Sequence, residues 1–258
     1  MKNHIKNFWD AQGEIYGDHH LASWGDKYAI DLEIQEISEH LEDNDNVLDV
    51  GCANGYSTFE QFEKNPTLKL VGVDYSEPMI ENAQKRLNNF IKPNNLSFAV
   101  GDILDLKFND EQFNKVYTTR VLINLPTWEE QIIGLNELLR VTKVGGKVII
   151  SEGFFEPIIK LNSLRLIAGL SPLVEHDFNR YLKISRLEDF LIQKKLVFEK
   201  NDFSSVYYLG SRFIRELVTD ISRYEGYSNP INGIFYELEK NFSGGGFGIQ
   251  QAYVITKK

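Results

Sequence analysis

Residues 47 to 55 read VLDVGCANG, and the order of chemistry in that stretch restricts the fold more than any other feature of the chain. A short apolar run gives way to a glycine-bounded loop, and YSTFEQFEK (56–64) then carries helical spacing. A strand that turns through glycine into a helix belongs to an open α/β sheet, whose ligands sit beyond the carboxyl ends of the strands. The alternation continues downstream. LKLVGVD (68–74) predicts a strand, and PMIENAQKRLNNF (78–90) a helix capped at Ser76 or Glu77 with Pro78 in its first turn. LSFAV (96–100) and KVYTT (115–119) predict two more strands. PTWEEQIIGLNELLRVT (126–142) predicts a helix stopped by Gly145 and Gly146, and KVIISEGF (147–154) a fifth strand. Strands separated by helices in this way imply right-handed crossovers and a mostly parallel sheet covered on both faces: a doubly wound, Rossmann-like α/β core.

Ahead of this core, Ile30, Ile34, Ile37 and Leu41 recur at helical spacing over 28–41. Beyond residue 155 the rhythm changes. Helices are expected near 157–170 and 185–195, a polar stretch at EHDFNRY (175–181), a strand near 196–203, a long helix over 205–224 and a last strand at GIQQAYVIT (248–256). GGGFG (244–248) precedes a strand rather than a helix and reads as a hairpin loop. With 258 residues the chain suits a single domain over 1–258, with an N-terminal lid at 1–28 and helical cap elements at 156–184 and 205–247.

Composition narrows the partners. A formal charge of −9 argues against nucleic acid, because such affinity comes from clustered Lys and Arg. The N-terminus has no apolar signal core, and no run of 18 apolar residues occurs, so no membrane span and a cytoplasmic location are expected. One cysteine, Cys52, excludes an internal disulfide and a thiolate metal cluster, and His19, His20 and Asp26 match no ligand spacing, so no metal is expected.

The glycine loop suits a cofactor with a carboxylate tail, since glycine lets backbone amides approach a ligand closely. A dinucleotide site would need G-x-G-x-x-G, but the loop is Gly51-Cys52-Ala53-Asn54-Gly55, with alanine where the second glycine would meet a pyrophosphate. Asp74 ends the second strand, where a carboxylate bonds ribose hydroxyls. Asp102 with Ile103 follows the third strand, placed to hold an adenine edge, and Asp49 lies within the first strand, where it can orient the loop.

On these residues the chain resembles the class I S-adenosylmethionine-dependent methyltransferases, particularly the branch that includes the ubiquinone and menaquinone biosynthesis enzymes. VLDVGCANG matches their first motif, VGVDYSEPMI (71–80) the second and GDILDLKF (101–108) the third, while FNKVYTTRVLINLP (113–126) and LLRVTKVGGKVIISE (138–152) match the fourth and fifth. The resemblance implies a seven-stranded sheet, mostly parallel with an antiparallel last strand, and S-adenosyl-L-methionine as cofactor. It also implies Gly51 and Gly55 near the methionine tail, Asp74 on the ribose, Asp102 and Ile103 at the adenine and Arg120 beside the site. Cys52, Tyr75 and Met79 complete the expected cofactor set, with Tyr16 and Trp24 as lid residues.

Methylation of a hydroxyl also needs a base. His176 in the cap, flanked by Glu175 and Asp177, is the first candidate, and His20 beside His19 the second. Eleven basic and eight acidic residues over 157–224 give the cap about +3, a field that favours an anionic acceptor. Arg180 and Arg212 are the expected phosphate contacts, with Asn179 and Tyr207 as further substrate contacts. HDFNRYL and FSSVYYLGSRFIREL (203–217) resemble methyltransferases of bacterial polysaccharide gene clusters, which implies a small-molecule acceptor such as a nucleotide-linked sugar, methylated on oxygen. NLPTW (124–128) lacks the proline pair of amino-group methyltransferases; a quinone or lipid methyltransferase and a non-catalytic cofactor-binding protein are the competing readings. A homodimer is compatible with all of them.

Overall fold

The computed structural model describes residues 2–89, 93–224 and 226–258, so the last residue of the helix expected over 78–90 lies outside them. Val47, Leu48 and Val50 are buried, as the inner strand of a sheet covered on both faces requires. They belong to β1 (Asn46–Val50), which is flanked in parallel by β2 (Lys69–Asp74) and β4 (Phe113–Thr119). β3 (Leu96–Val100) extends the sheet beyond β2, and β5 (Thr142–Gly153) beyond β4. β7 (Gln250–Thr256) then runs antiparallel between β5 and β6 (Val197–Asn201), which gives the order β3-β2-β1-β4-β5-β7-β6. The reversal of order around β1 creates the switch point at which such sheets bind ligands.

The crossover helices are α3 (Tyr56–Lys64), α4 (Glu77–Asn89) and α5 (Trp128–Val141). The Ser76 hydroxyl accepts from the Met79 amide at the start of α4, and Thr127 caps α5 through the Glu130 amide. Gly145 and Gly146 are not the stop of α5. The backbone is already extended at Thr142, and the glycine pair lies inside β5, where Gly145 N donates to Lys257 O and Lys257 N to Gly146 O. Gly145 sits at φ 77°, a conformation that frees the strand to bend there.

Two helices went unread in the sequence. α1 (Lys2–Tyr16) lies against α4, where Asn82 Nδ2 donates to Gly13 O at 2.8 Å. α10 (Ile231–Glu239) packs on α8 (Ser205–Leu209) and on α2 (Lys27–Ser38). After β5 come α6 (Phe155–Ile167) and α7 (Ile184–Gln193). The helix expected over 205–224 stops earlier: α8 passes through one π turn at Gly210–Ile214 into α9 (Arg215–Val218), and Thr219 is extended. A β-carbon on Gly210 would lie 2.1 Å from the Phe235 ring, so the close seat of α10 depends on glycine at that turn.

One ion pair ties the cap to the N-terminal segment. Asp26 is wholly buried, caps α2 through the Ala29 amide, accepts from the Tyr207 hydroxyl and pairs with the Arg212 guanidinium. Arg212 also lies over the rings of Tyr208 at 4.9 Å and Tyr227 at 4.5 Å. Replacing Arg212 by Met strands the Asp26 charge, and breaking a buried pair on one side costs about 3–5 kcal/mol. Urea unfolding of Arg212→Met should show a correspondingly lower midpoint at unchanged slope, and a midpoint equal to wild type would refute the tie.

Candidate active site

The carboxyl ends of β1, β2, β3 and β4 face one cavity of about 260 Å³. Its floor is the loop after β1. Gly51 and Cys52 donate their amides to Val73 O, which folds the loop back across β2. Gly51 sits at φ 82°, and a β-carbon there would be 2.0 Å from Val121 Cγ2, so the loop after β4 seats against Gly51 with no room for a side chain. Asp74 closes the arrangement by accepting from the Ala53 and Ser76 amides, each at 2.9 Å. Gly55 does not line the cavity; at φ 76° it starts α3, wedged against Phe98 and Ala83.

The facing wall is the segment 119–126, held from beneath by a residue the sequence reading passed over. Glu152 is wholly buried at the end of β5, and its carboxylate accepts from the amides of Val121 at 2.9 Å, Leu122 at 3.0 Å and Ile123 at 3.3 Å. A charged residue inside the apolar strand KVIISEGF was the available signal. Asn124 lines the cavity too, donating through Nδ2 to Arg120 O at 2.7 Å while its Oδ1 is buried without a partner.

The N-terminal segment forms the roof. Asn54, fully buried in the glycine loop, donates through Nδ2 to both Gly17 O and His19 O at 2.9 Å. Ile5, Lys6 and Trp9 of α1 and Ser23 contribute to the lining. The expected lid aromatics do not. Tyr16 is exposed, because it ends α1 on the solvent side, and Trp24 stands one layer back, under the Arg120 guanidinium at 4.8 Å. Ile5 and Trp9, four residues apart, carried the signal for the face that turns inward.

Of the expected cofactor residues, Asp49, Gly51, Cys52, Asp74, Tyr75, Met79, Asp102, Ile103 and Arg120 share this cavity. The expected catalytic set does not. His176 is exposed and stacks on Phe178 at 4.3 Å, behind Trp9. Neither acidic neighbour orients it, since Glu175 accepts from the Tyr181 amide and Asp177 is exposed. His20 stacks between His19 and Tyr56, outside the lining, and burial followed by the neighbouring His19 lowers its pKa. Asn179 closes a turn onto His176 O, and the Arg180 guanidinium bonds the carbonyls of Asp177 and Asn179. Arg212 and Tyr207 are consumed by Asp26, so neither serves as the expected substrate contact.

Buried acids surround the site. Asp49 accepts through Oδ2 from the Thr58 hydroxyl at 2.6 Å and the Tyr117 hydroxyl at 2.9 Å, while Oδ1 has no partner. Burial raises Asp49, Glu33 and Glu152 from their ordinary values to about 7, and Asp74 to about 6. Burial likewise pushes up the Tyr75 phenol, whose hydroxyl is unpartnered.

Residues 41–178 match a family model described as a methyltransferase domain. An uncharacterized methyltransferase of Schizosaccharomyces pombe is 34% identical over 119 residues, which are 44% of this chain and 42% of that protein. The demethylmenaquinone methyltransferase of Lactococcus lactis subsp. lactis is 31% identical over 173 residues, 63% of this chain and 67% of its own length. Among solved structures, a chain from the complex between the Haloferax volcanii Trm112 methyltransferase activator and a methyltransferase superposes with a TM-score of 0.62 at 18% identity, covering 97% of this chain and 98% of that one.

The raised acids set a pH dependence. Each holds its proton more tightly folded than unfolded, so its contribution to stability is complete below about pH 4 and is lost as pH rises through about 6 to 7. The melting temperature should therefore fall between about pH 5 and about pH 8, and less steeply in Asp49→Asn, which removes one of these groups. A flat profile in wild type, followed by differential scanning fluorimetry, would contradict this.

Proposed function

The chain belongs to the class I S-adenosylmethionine-dependent methyltransferases, and from that membership we propose that the cavity between α1, the glycine loop and segment 119–126 holds the cofactor and admits a small hydroxyl-bearing acceptor with an apolar body. The observation that carries the reading is the pattern of free polar atoms. Asp49 Oδ1, the Tyr75 hydroxyl and Asn124 Oδ1 are all buried without partners, and all three residues line this cavity. Buried polar groups in proteins usually find partners, and three unpartnered ones on a single cavity suit a polar ligand there. Asp74 would hold the ribose hydroxyls, Met79 and Ile103 the adenine faces, and the glycine loop the methionine portion.

The bound cofactor supplies a methyl group on a sulfonium; the chain's own work is positioning and exclusion of water. Ile5 and Trp9 from α1, with Val121, Leu125 and Pro126 opposite, give the acceptor an apolar slot. The sequence expectation of a phosphate-bearing sugar rested on the resemblance of the cap segments to polysaccharide-cluster methyltransferases and on the net positive charge of the cap. Arg165 and Arg215 pair with Glu216, Arg212 with Asp26, and Arg180 with its own backbone, so these four cations, the two expected phosphate contacts among them, are engaged within the protein. Lys6, paired with Asp10, and Arg120, paired with Glu33, stand on the lining itself, and cations at that place favour an acceptor oxygen that ionises readily, as a phenol or hydroquinone does. Similarity to a demethylmenaquinone methyltransferase supports an aromatic acceptor of that kind.

Asp74→Ala should weaken S-adenosylhomocysteine binding by about 100-fold or more in calorimetry, because two charge-assisted hydrogen bonds are lost; unchanged affinity would remove Asp74 from the ribose. Ribose hydroxyls donate to the ionised form, so wild-type affinity should rise with pH through about 6 and level off above it. For the acceptor, S-adenosylhomocysteine release should be stimulated by small phenols and hydroquinones and not by nucleotide-linked sugars, and the reverse order would restore the sugar reading.

A further inference from the structure

We propose that the loop 166–174 seats the protein on the surface of a lipid bilayer, with the rim of the cavity turned to the lipid. The docking stands by itself; its use, the entry of an apolar acceptor from the bilayer, rests on the reading above. The nine residues LIAGLSPLV carry no charge, and Leu166, Ile167 and Val174 stand 78%, 85% and 80% exposed. Ile159, two turns back on the face of α6 that carries Leu166, is exposed as well. Scattered apolar side chains in water are ordinary, whereas several large ones on one uncharged run mark a contact surface. The run is also held in one shape. Gly169, at φ 72°, ends α6 by donating to Leu166 O, and the Leu170 amide donates to Arg165 O. Asn162 donates through Nδ2 to Leu173 O at 2.9 Å and accepts from the Leu173 amide at 2.7 Å, and the buried Arg165 donates through Nε to Ser171 O at 2.7 Å. The polar groups of α6 thus turn inward to fix the loop, and its apolar side chains remain outside.

This surface adjoins the cavity. Residues 175–180, directly after it, bridge two sides of the opening: the Phe178 ring packs on Phe8 at 4.8 Å and on Trp9 of the roof at 6.2 Å, and the Arg180 amide donates to Ile123 O of the wall at 2.6 Å. A bilayer is favoured over a second copy of the chain on two grounds. Side chains this exposed stand on a convex surface, and two such knobs facing each other across a twofold axis leave much of their apolar area in water, whereas acyl chains close around a knob. Charge agrees. With histidine counted as neutral, the first exposed charged residues on either side along the chain are Lys160 and Asp177, one of each sign, which suits a zwitterionic headgroup layer. Among the described residues no helix is long and apolar enough to cross a membrane, so the contact is interfacial, with side chains reaching about 5–10 Å into the boundary of headgroups and acyl chains.

Sedimentation with phosphatidylcholine vesicles tests the docking. Wild type should partition onto them, and Leu166→Ser/Ile167→Ser should lower the partition coefficient by about 10-fold or more at unchanged melting temperature, since both side chains are exposed in the free protein. Val144→Ser, an exposed position at the end of β5 far from the cavity, should bind as wild type does. Because the run is uncharged, binding should persist in high salt. No binding, equal binding of wild type and double variant, or binding confined to anionic vesicles at low salt overturns the proposal. So does light scattering that shows a wild-type dimer turned monomeric by the double variant, which gives the surface to a second copy. S-adenosylhomocysteine binding without vesicles tests the reading above separately: a wild type that binds vesicles but not S-adenosylhomocysteine overturns the cofactor reading and leaves the docking standing.

Discussion

A carboxylate accepting backbone amides is the joint on which this site depends. Asp74 fixes the loop after β1 from the neighbouring strand, Glu152 fixes the loop after β4 in the same manner, and Asp102 turns the chain after β3 by accepting from the Leu104 amide. Loops that end parallel strands carry amides with no strand partner, and satisfying them costs less than leaving them buried and bare. Doing so with acids rather than with water or further backbone gives each loop one defined position. The same burial raises the pKa of Asp74 and Glu152, against the opposite pull of the amides that bond them.

The same device governs which residues face the cavity. With Glu152 beneath it, segment 119–126 presents Arg120, Asn124 and Leu125 to the cavity and packs Val121 onto Gly51. With Asn54 reaching up from the glycine loop, the N-terminal segment is drawn over the opening, and α1 delivers Ile5 and Trp9. Floor, wall and roof are therefore linked through a few buried polar side chains rather than through the apolar core alone.

Much of this was legible in the sequence where periodicity and glycine speak directly. Every strand of the sheet was located, and the strand-end side of the cavity follows from VLDVGCANG, Asp74 and Asp102. The roof was harder to read because α1 carries its cavity face on two apolar positions, Ile5 and Trp9, so the lid expected over 1–28 was not resolved into a helix. The cap misled for a different reason. Charge can be counted along a chain, but pairing cannot, and Arg212, Arg165 and Arg215 meet their acids only in the folded state. Glu33 hid on the apolar face of α2, between Ile30 and Ile34, where burial of a charge has no signature except its position in the pattern.

The strand order has a consequence for how the molecule comes into being. β7 is last in sequence but second from the edge in space, and among the described residues it is the only strand that bonds β6. While the chain emerges from a ribosome, β6 has no sheet to join until residues 250–256 arrive to bridge it to β5. The cofactor half, β3 to β4, is free of that wait. The protein is thus set to mature in two stages, with strands β1 to β4 able to form early and the β6 edge completed when the final strand slides into place.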